Sequence, residues 1–154
     1  MIKITHKLLD GNQYTERDGW HTNGHWALRD TQVTTAIRPD DTERDVEALL
    51  RNFSTSGYVP IEPTGVVFAI DGRDPCEIYS NPKRGTHIVI RQLYGDKIAK
   101  QYHAWGLTWE DPVFLTVGDT LSSLDDVVGI AMPMRPPEVT DAQVKALEAI
   151  KEIR

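Results

Sequence analysis

Few residues in this chain have types and spacings that suggest chemistry, and the histidines are the first of them. His21 and His25 stand four apart, and His103 lies in Tyr102-His103-Ala104-Trp105. On a helix, histidines at i and i+4 can share a zinc ion. Here Asn23-Gly24 separates them, a hairpin-turn dipeptide in which both residues tolerate positive φ. A shared site therefore needs convergence across a hairpin, with His87 or His103 as third ligand. No Cys or Glu completes a known metal spacing, and the ordinary reading is turn and sheet-edge histidines.

Asp71, Asp74 and Glu77 flank Gly72-Arg73, where carboxylates usually serve as solvated turn formers. Cys76, the one cysteine, has Arg73 nearby but reads as a small core residue. Ser122-Ser123 lacks the Gly-x-Ser-x-Gly elbow, and no Gly-rich loop follows the strand-to-helix pattern that cradles phosphate. Trp20, Trp26, Trp105 and Trp109 can stack on bases or a ligand, though aromatics are more often core. The enzymatic alternative is thus a small metal-dependent hydrolase or nucleotide-binding protein using His21, His25 and His103.

The elements that must position these residues follow from periodicity and punctuation. Strands are expected at Ile2 to Leu9, around the Asn23-Gly24 turn and at Val33 to Ile37, with a second turn near Asp18-Gly19. Pro39 ends the last of these. Thr42, with Asp45 three residues on, predicts a helix start. Val46, Leu49, Leu50 and Phe53 form its apolar stripe, so the helix is expected over 42–53 with Leu49 buried. Residues 54–63 read as loop. Further strands are expected at Val66 to Ile70, Cys76 to Tyr79, His87 to Leu93, Val113 to Val117 and Val127 to Met132, with a helical turn over Asp96 to Tyr102. Thr140, Gln143, Val139 and Val144 make a capping box and staple for a closing helix. The sum is an α+β fold, a mostly antiparallel sheet with two main helices. Residues 1–137 are one domain, and 138–154 a C-terminal helix packed on it or mediating assembly.

Composition narrows the partners. With 17 basic and 23 acidic residues among 154, the net charge is −6, which excludes a general basic coat for nucleic acid but allows a local basic face. One cysteine excludes a disulfide framework. No apolar run approaches the roughly eighteen residues of a membrane helix, and Met1 to Gln13 holds no apolar signal core. A cytoplasmic protein with no cofactor is expected.

A resemblance adds a function. Thr22-Asn23-Gly24-His25-Trp26-Ala27-Leu28 is similar to the Thr-Asp-Gly-His-Arg-Leu-Ala stretch of bacterial β sliding clamps, the DNA polymerase processivity factors. Ala36-Ile37-Arg38-Pro39 before a helix, Ile90 to Asp96, Val113 to Ser123, and Val128 to Met132-Pro133-Met134-Arg135 resemble further clamp segments in the same order. The resemblance implies a DNA-clamp-like fold and a replication accessory role without catalysis. It implies a hydrophobic cleft for polymerase or clamp-loader peptides, formed by Thr22, Gly24, His25, Leu28, Pro39, Met132, Pro133, Met134 and Arg135. Methionines suit such a cleft because they adapt to several ligands, and Met132 and Met134 are expected to face one side of a strand. Asn23 replaces the family's Asp, and Trp26, replacing its Arg, is expected to narrow or fill the groove. A ring of clamp domains requires several copies, so a homo-oligomer is implied. Weak, electrostatic binding of duplex DNA is expected through Arg44 and Arg51 on one helix face and Lys97 and Lys100 near the second helical turn. A short chain of this kind fits a viral or mobile-element origin.

Overall fold

The computed structural model describes residues 1–5, 11–36, 44–69 and 74–134. The expected closing helix, the domain boundary at 137–138, Leu8, Leu9, Pro39, Thr42, Asp71, Arg73 and Arg135 lie outside these. In chain order the elements are β1 (Ile2–Ile4), β2 (Thr15–Arg17), β3 (Trp20–Thr22), β4 (Trp26–Arg29), β5 (Val33–Thr35) and α1 (Val46–Leu50). There follow β6 (Val59–Phe68), β7 (Cys76–Asn81), β8 (Thr86–Arg91), α2 (Gln92–Gln101), β9 (His103–Gly106), β10 (Val113–Thr116) and β11 (Gly129–Ala131). Nine strands form one sheet in the order β2-β3-β4-β11-β10-β9-β6-β7-β8, and every neighbouring pair is antiparallel. A parallel pair, β1 with β5, stands beside it. The fold is α+β with a mostly antiparallel sheet and, among the described residues, two α-helices.

The helices pack on opposite faces of the sheet. Alternation along a strand sends neighbouring side chains to opposite sides. On β4, Trp26 and Leu28 join the core around Tyr94 and Ile98 of α2, while Ala27 joins Val46 and Leu50 of α1. On β10, Val113 and Leu115 take the α2 side and Phe114 the α1 side. The sheet curves around α2, so strands distant in its order meet the same helix. Trp26 on β4 packs against Tyr94 with ring centroids 5.1 Å apart and planes tilted by 30°, and the Tyr79 hydroxyl on β7 donates to the Gly95 carbonyl at 2.9 Å. Burial raises the Tyr79 phenol well above its ordinary value, with Glu77 and Asp96 adding to the shift, so the donor proton is retained. A Cβ on Gly95 would lie 3.1 Å from that phenol oxygen, and glycine admits the close approach. Just past β11, the Met134 amide donates to the Val89 carbonyl of β8 at 2.8 Å.

A buried amide joins the β3–β4 turn to α2. Asn23 Nδ2 donates to the Tyr94 hydroxyl at 2.8 Å and to the Tyr14 hydroxyl at 3.4 Å, and Trp26 Nε1 donates to the same Tyr14 oxygen at 2.7 Å. Asn23 Oδ1 accepts the backbone amides of His25 and Trp26 at 2.9 and 3.2 Å. The four side chains of Asn23, Tyr14, Trp26 and Tyr94 are all buried. An aspartate here has no N–H to donate, so the asparagine serves both sides of the network.

Several expectations are corrected. Asn23-Gly24 does turn the chain between β3 and β4, but with positive φ at Gly24 alone (+90°), while Asn23 acts through its side chain as an Asx turn. The tight two-residue hairpin is Asp18-Gly19, with φ of 52° and 85°, between β2 and β3. The first helix is not capped by Thr42. Asp45 itself caps it, accepting the Ala48 amide at 3.0 Å, and α1 runs only from Val46 to Leu50. Leu49 is 42% exposed, so the expectation that it is core fails. Residues 59–63 are strand, not loop, despite Pro60 and Pro63. The first part of β6 pairs with β9 and the later part with β7, so each proline borders one ladder only. The turn expected at 96–102 is a full helix from Gln92, and β9 was not foreseen.

Truncation of Asn23 to Ala removes the acceptor of two backbone amides and one donor to the Tyr94 and Tyr14 hydroxyls. We expect a loss of about 2–4 kcal/mol in urea unfolding followed by circular dichroism.

Candidate functional site

An apolar groove of about 270 Å³ opens between α1 and the sheet. Its sheet side is Thr22, Ala27, Ile130 and Met132, and its helix side is Val46 and Leu49. Gly24, Trp26, Arg44 and Asp45 complete the lining. The groove exists because β11 pairs with β4, with Ala131 opposite Trp26. The pairing continues one step further, as the Met132 amide donates to the His25 carbonyl at 2.8 Å. The Thr22–His25 turn and the Met132 segment, more than a hundred residues apart in sequence, therefore share one end of the sheet.

The turn is held by its own side chains. Thr22 Oγ1 donates to the Trp26 carbonyl at 2.7 Å and accepts the Gly24 amide at 3.0 Å. Gly24 meets the positive φ and leaves room for Arg44, whose Nε would be 3.3 Å from a Cβ there. Arg44 donates to the Gln13 carbonyl at 3.3 Å, while the adjacent Asp45 pairs with Arg17 at 3.1 Å. Arg44 forms no ion pair among the described residues. Its guanidinium thus stands at the mouth of an apolar groove with no ion-pair partner among the described residues.

The groove's helical wall is fixed by Glu47. Its Oε1 accepts Trp20 Nε1 at 2.8 Å and Arg29 Nη1 at 3.0 Å. Arg29 lies 4.4 Å above the Trp20 ring and donates through Nε to the Val127 carbonyl at 2.8 Å. The Trp20 hydrogen bond and the Arg29 charge lower the Glu47 carboxyl below its ordinary value of 4.5, against the opposing effect of burial. With Val46 and Leu50 in the core below, this leaves Leu49 facing the groove.

The structure sorts the expected cleft residues. Thr22, Gly24 and Met132 line the groove, and His25 adjoins it through its backbone. Leu28 is fully buried on the other face, in the α2 core, and does not contribute. Met132 and Met134 do not face one side: β11 ends at Ala131, and Met134 packs with Cys76, Ile78 and Val89 while Met132 borders the α1 core. Pro133 is buried next to them. Pro39 and Arg135 are outside the described residues. Trp26 borders the groove but its indole does not fill it, because the ring packs at a tilt against Tyr94 in the α2 core. Ala27, Ile130, Val46, Leu49 and Arg44 were missed as lining. The alternation of β4 and β11 carried the signal for the first two.

The expected cations do not form one surface. Arg44 precedes α1 and Arg51 follows it, its Nε donating to the Glu47 carbonyl at 3.2 Å, so the two do not share a helix face. Lys97 and Lys100 are exposed on α2, across the sheet. The histidines are also apart. His21 on β3 is buried with Nε2 paired to Asp30, and His103 is exposed on β9, four strand spacings or roughly 19 Å away. No group of three or more metal-ligating side chains occurs among the described residues. Cys76 is buried as a core residue. No helix among them is long and apolar enough to cross a membrane. No protein-family model, curated protein or solved structure matches the chain.

The depressed Glu47 carboxyl makes its contribution to stability complete above about pH 4.5 and lost as pH falls through the folded value. Urea midpoints measured from pH 7 to 3 should show the wild type ahead of Glu47→Gln at neutral pH, with the advantage shrinking below about pH 4.5.

Proposed function

We propose that this chain is a non-enzymatic accessory module of sliding-clamp type, which recruits a partner by taking a peptide into the groove beneath α1. The observation that carries this reading is the meeting of Thr22, Gly24 and Met132 on one apolar groove, formed by the β4–β11 pairing. The groove sits beside an exposed leucine and an adaptable methionine, features suited to leucine or phenylalanine anchors. Arg44 adds charge complementarity. The partner it fits carries a carboxylate next to its apolar anchor, which an arginine can hold by charge-assisted hydrogen bonds. The separation of the basic residues on two faces puts peptide recruitment ahead of duplex DNA, for which we propose only weak, salt-sensitive contact in an assembled homo-oligomer.

The test is fluorescence anisotropy with a labelled peptide ending in Leu-Phe and a free carboxylate, against the same peptide amidated. The acid form should bind saturably, and amidation or Arg44→Ala should each weaken it roughly tenfold, about 1.4 kcal/mol, without adding to one another. Leu49→Asp, at an exposed position, should abolish binding while the protein stays folded. Absence of saturable binding to either peptide contradicts the reading. The rotor speed dependence of sedimentation then gives the oligomeric state.

A further inference from the structure

A second cavity, of about 400 Å³, lies on the other side of the molecule from the groove's helix, where β6 leaves β9 for β7. The pairing of β6 with β9 stops at Ile61–Ala104, and that with β7 begins at Glu62 and Pro63 and resumes at Val67 and Phe68. Pro63 has no N–H to offer a ladder. Glu62 and His103, which a continued register would place opposite each other, instead stand exposed at the cavity. The opening therefore comes from the backbone path and does not depend on a side-chain rotamer.

Its lining combines apolar walls with polar groups, among them Glu62, His103 and Tyr102. Pro60, Pro63 and Ala99 supply hydrocarbon. Tyr102, at the end of α2, also lines it and is 9% exposed. The Tyr102 hydroxyl is buried with no hydrogen-bond partner among the described residues, and its burial raises the phenol above its ordinary value. Leaving a buried hydroxyl unmatched is unfavourable, and native folds retain such groups where a ligand or water completes them. Glu62 forms no ion pair among the described residues. A carboxylate at the mouth repels anions, and a metal ion lacks the three ligands it needs among the described residues.

We propose that this cavity binds a small organic amine, its hydrocarbon body against Pro60 and Pro63 and its ammonium group shared between the Glu62 carboxylate and the Tyr102 hydroxyl. The ammonium supplies N–H donors to both oxygens, and the apolar body displaces water from the proline faces. The site is independent of the peptide groove, and neither depends on the other being occupied.

The experiment is a titration of the full chain, followed by backbone amide NMR, with phenethylamine. Hydrocinnamate and phenethyl alcohol serve as the anionic and neutral counterparts. Phenethylamine should give saturable shifts confined to residues 60–63 and 98–104, with the alcohol at least fivefold weaker and the acid inert. Glu62→Gln, at an exposed position, should weaken the amine at least fivefold. Tyr102→Phe should weaken it about threefold while leaving the unfolding midpoint unchanged or higher, because the hydroxyl lost has no hydrogen-bond partner among the described residues. The proposal is overturned by absence of saturable shifts, by hydrocinnamate binding as tightly as the amine, or by unchanged amine affinity in Glu62→Gln.

Discussion

The fold depends on one side-chain amide. Asn23 joins two parts of the chain that differ in kind: a turn, whose amides its oxygen accepts, and a helix, whose Tyr94 hydroxyl its nitrogen reaches. Because the network is buried, each bond is stronger than in water and each missing partner costs more. The turn it fixes sets the register of β3 and β4, and β4 is the strand on which β11 pairs. The position of Met132, and with it the sheet side of the groove, follows from that register. The same amide holds Trp26 in the core on the α2 side, which leaves the α1 side of β4 to the small Ala27. A groove is possible above an alanine where an indole would have filled it.

The opposite wall has a separate origin. Five residues of helix cannot hold themselves in water, since nucleation is unfavourable and few hydrogen bonds follow. α1 is instead secured by the Asp45 cap at its start, two buried side chains below and the Glu47–Trp20–Arg29 cluster at its side. Arg29 contributes twice, by charge to Glu47 and by stacking on Trp20. What remains on the helix surface, Leu49, has no structural duty in the core and is free to meet a partner.

Much of the architecture was legible in the sequence, for physical reasons that can be named. The continuous apolar runs Val113 to Leu115 and Ile88 to Ile90 read as strands because both faces of this sheet are covered. The Asp18-Gly19 turn was legible because few residues adopt positive φ in succession. The errors have causes too. Thr42 looked like a cap because capping boxes are read locally, yet Asp45 took the role by reaching the Ala48 amide. The stripe Val46, Leu49, Leu50, Phe53 suggested four core positions, but so short a helix buries only the two residues facing the sheet. The first half of β6 was hidden by its prolines, which a strand tolerates when it changes partners midway, while Val66 onward read as strand. In the candidate site, Thr22, Gly24 and Met132 were reachable from segment order. Arg44 was named for DNA, and its place at the groove arises from the space over Gly24, which no pattern in the sequence displays. Leu28 was misassigned because a one-residue step along a strand moves a side chain to the other face, and Met134 because β11 ends at Ala131, so strand alternation does not reach it.

The central claim is that the Asn23 amide and the Tyr94 hydroxyl are energetically coupled and so tie the groove-forming turn to α2. A double-mutant cycle of Asn23→Ala and Tyr94→Phe, read by urea unfolding, measures this directly. The account predicts a coupling of about 1–2 kcal/mol, with the second substitution costing little once the first is made. Strict additivity of the two losses would contradict it.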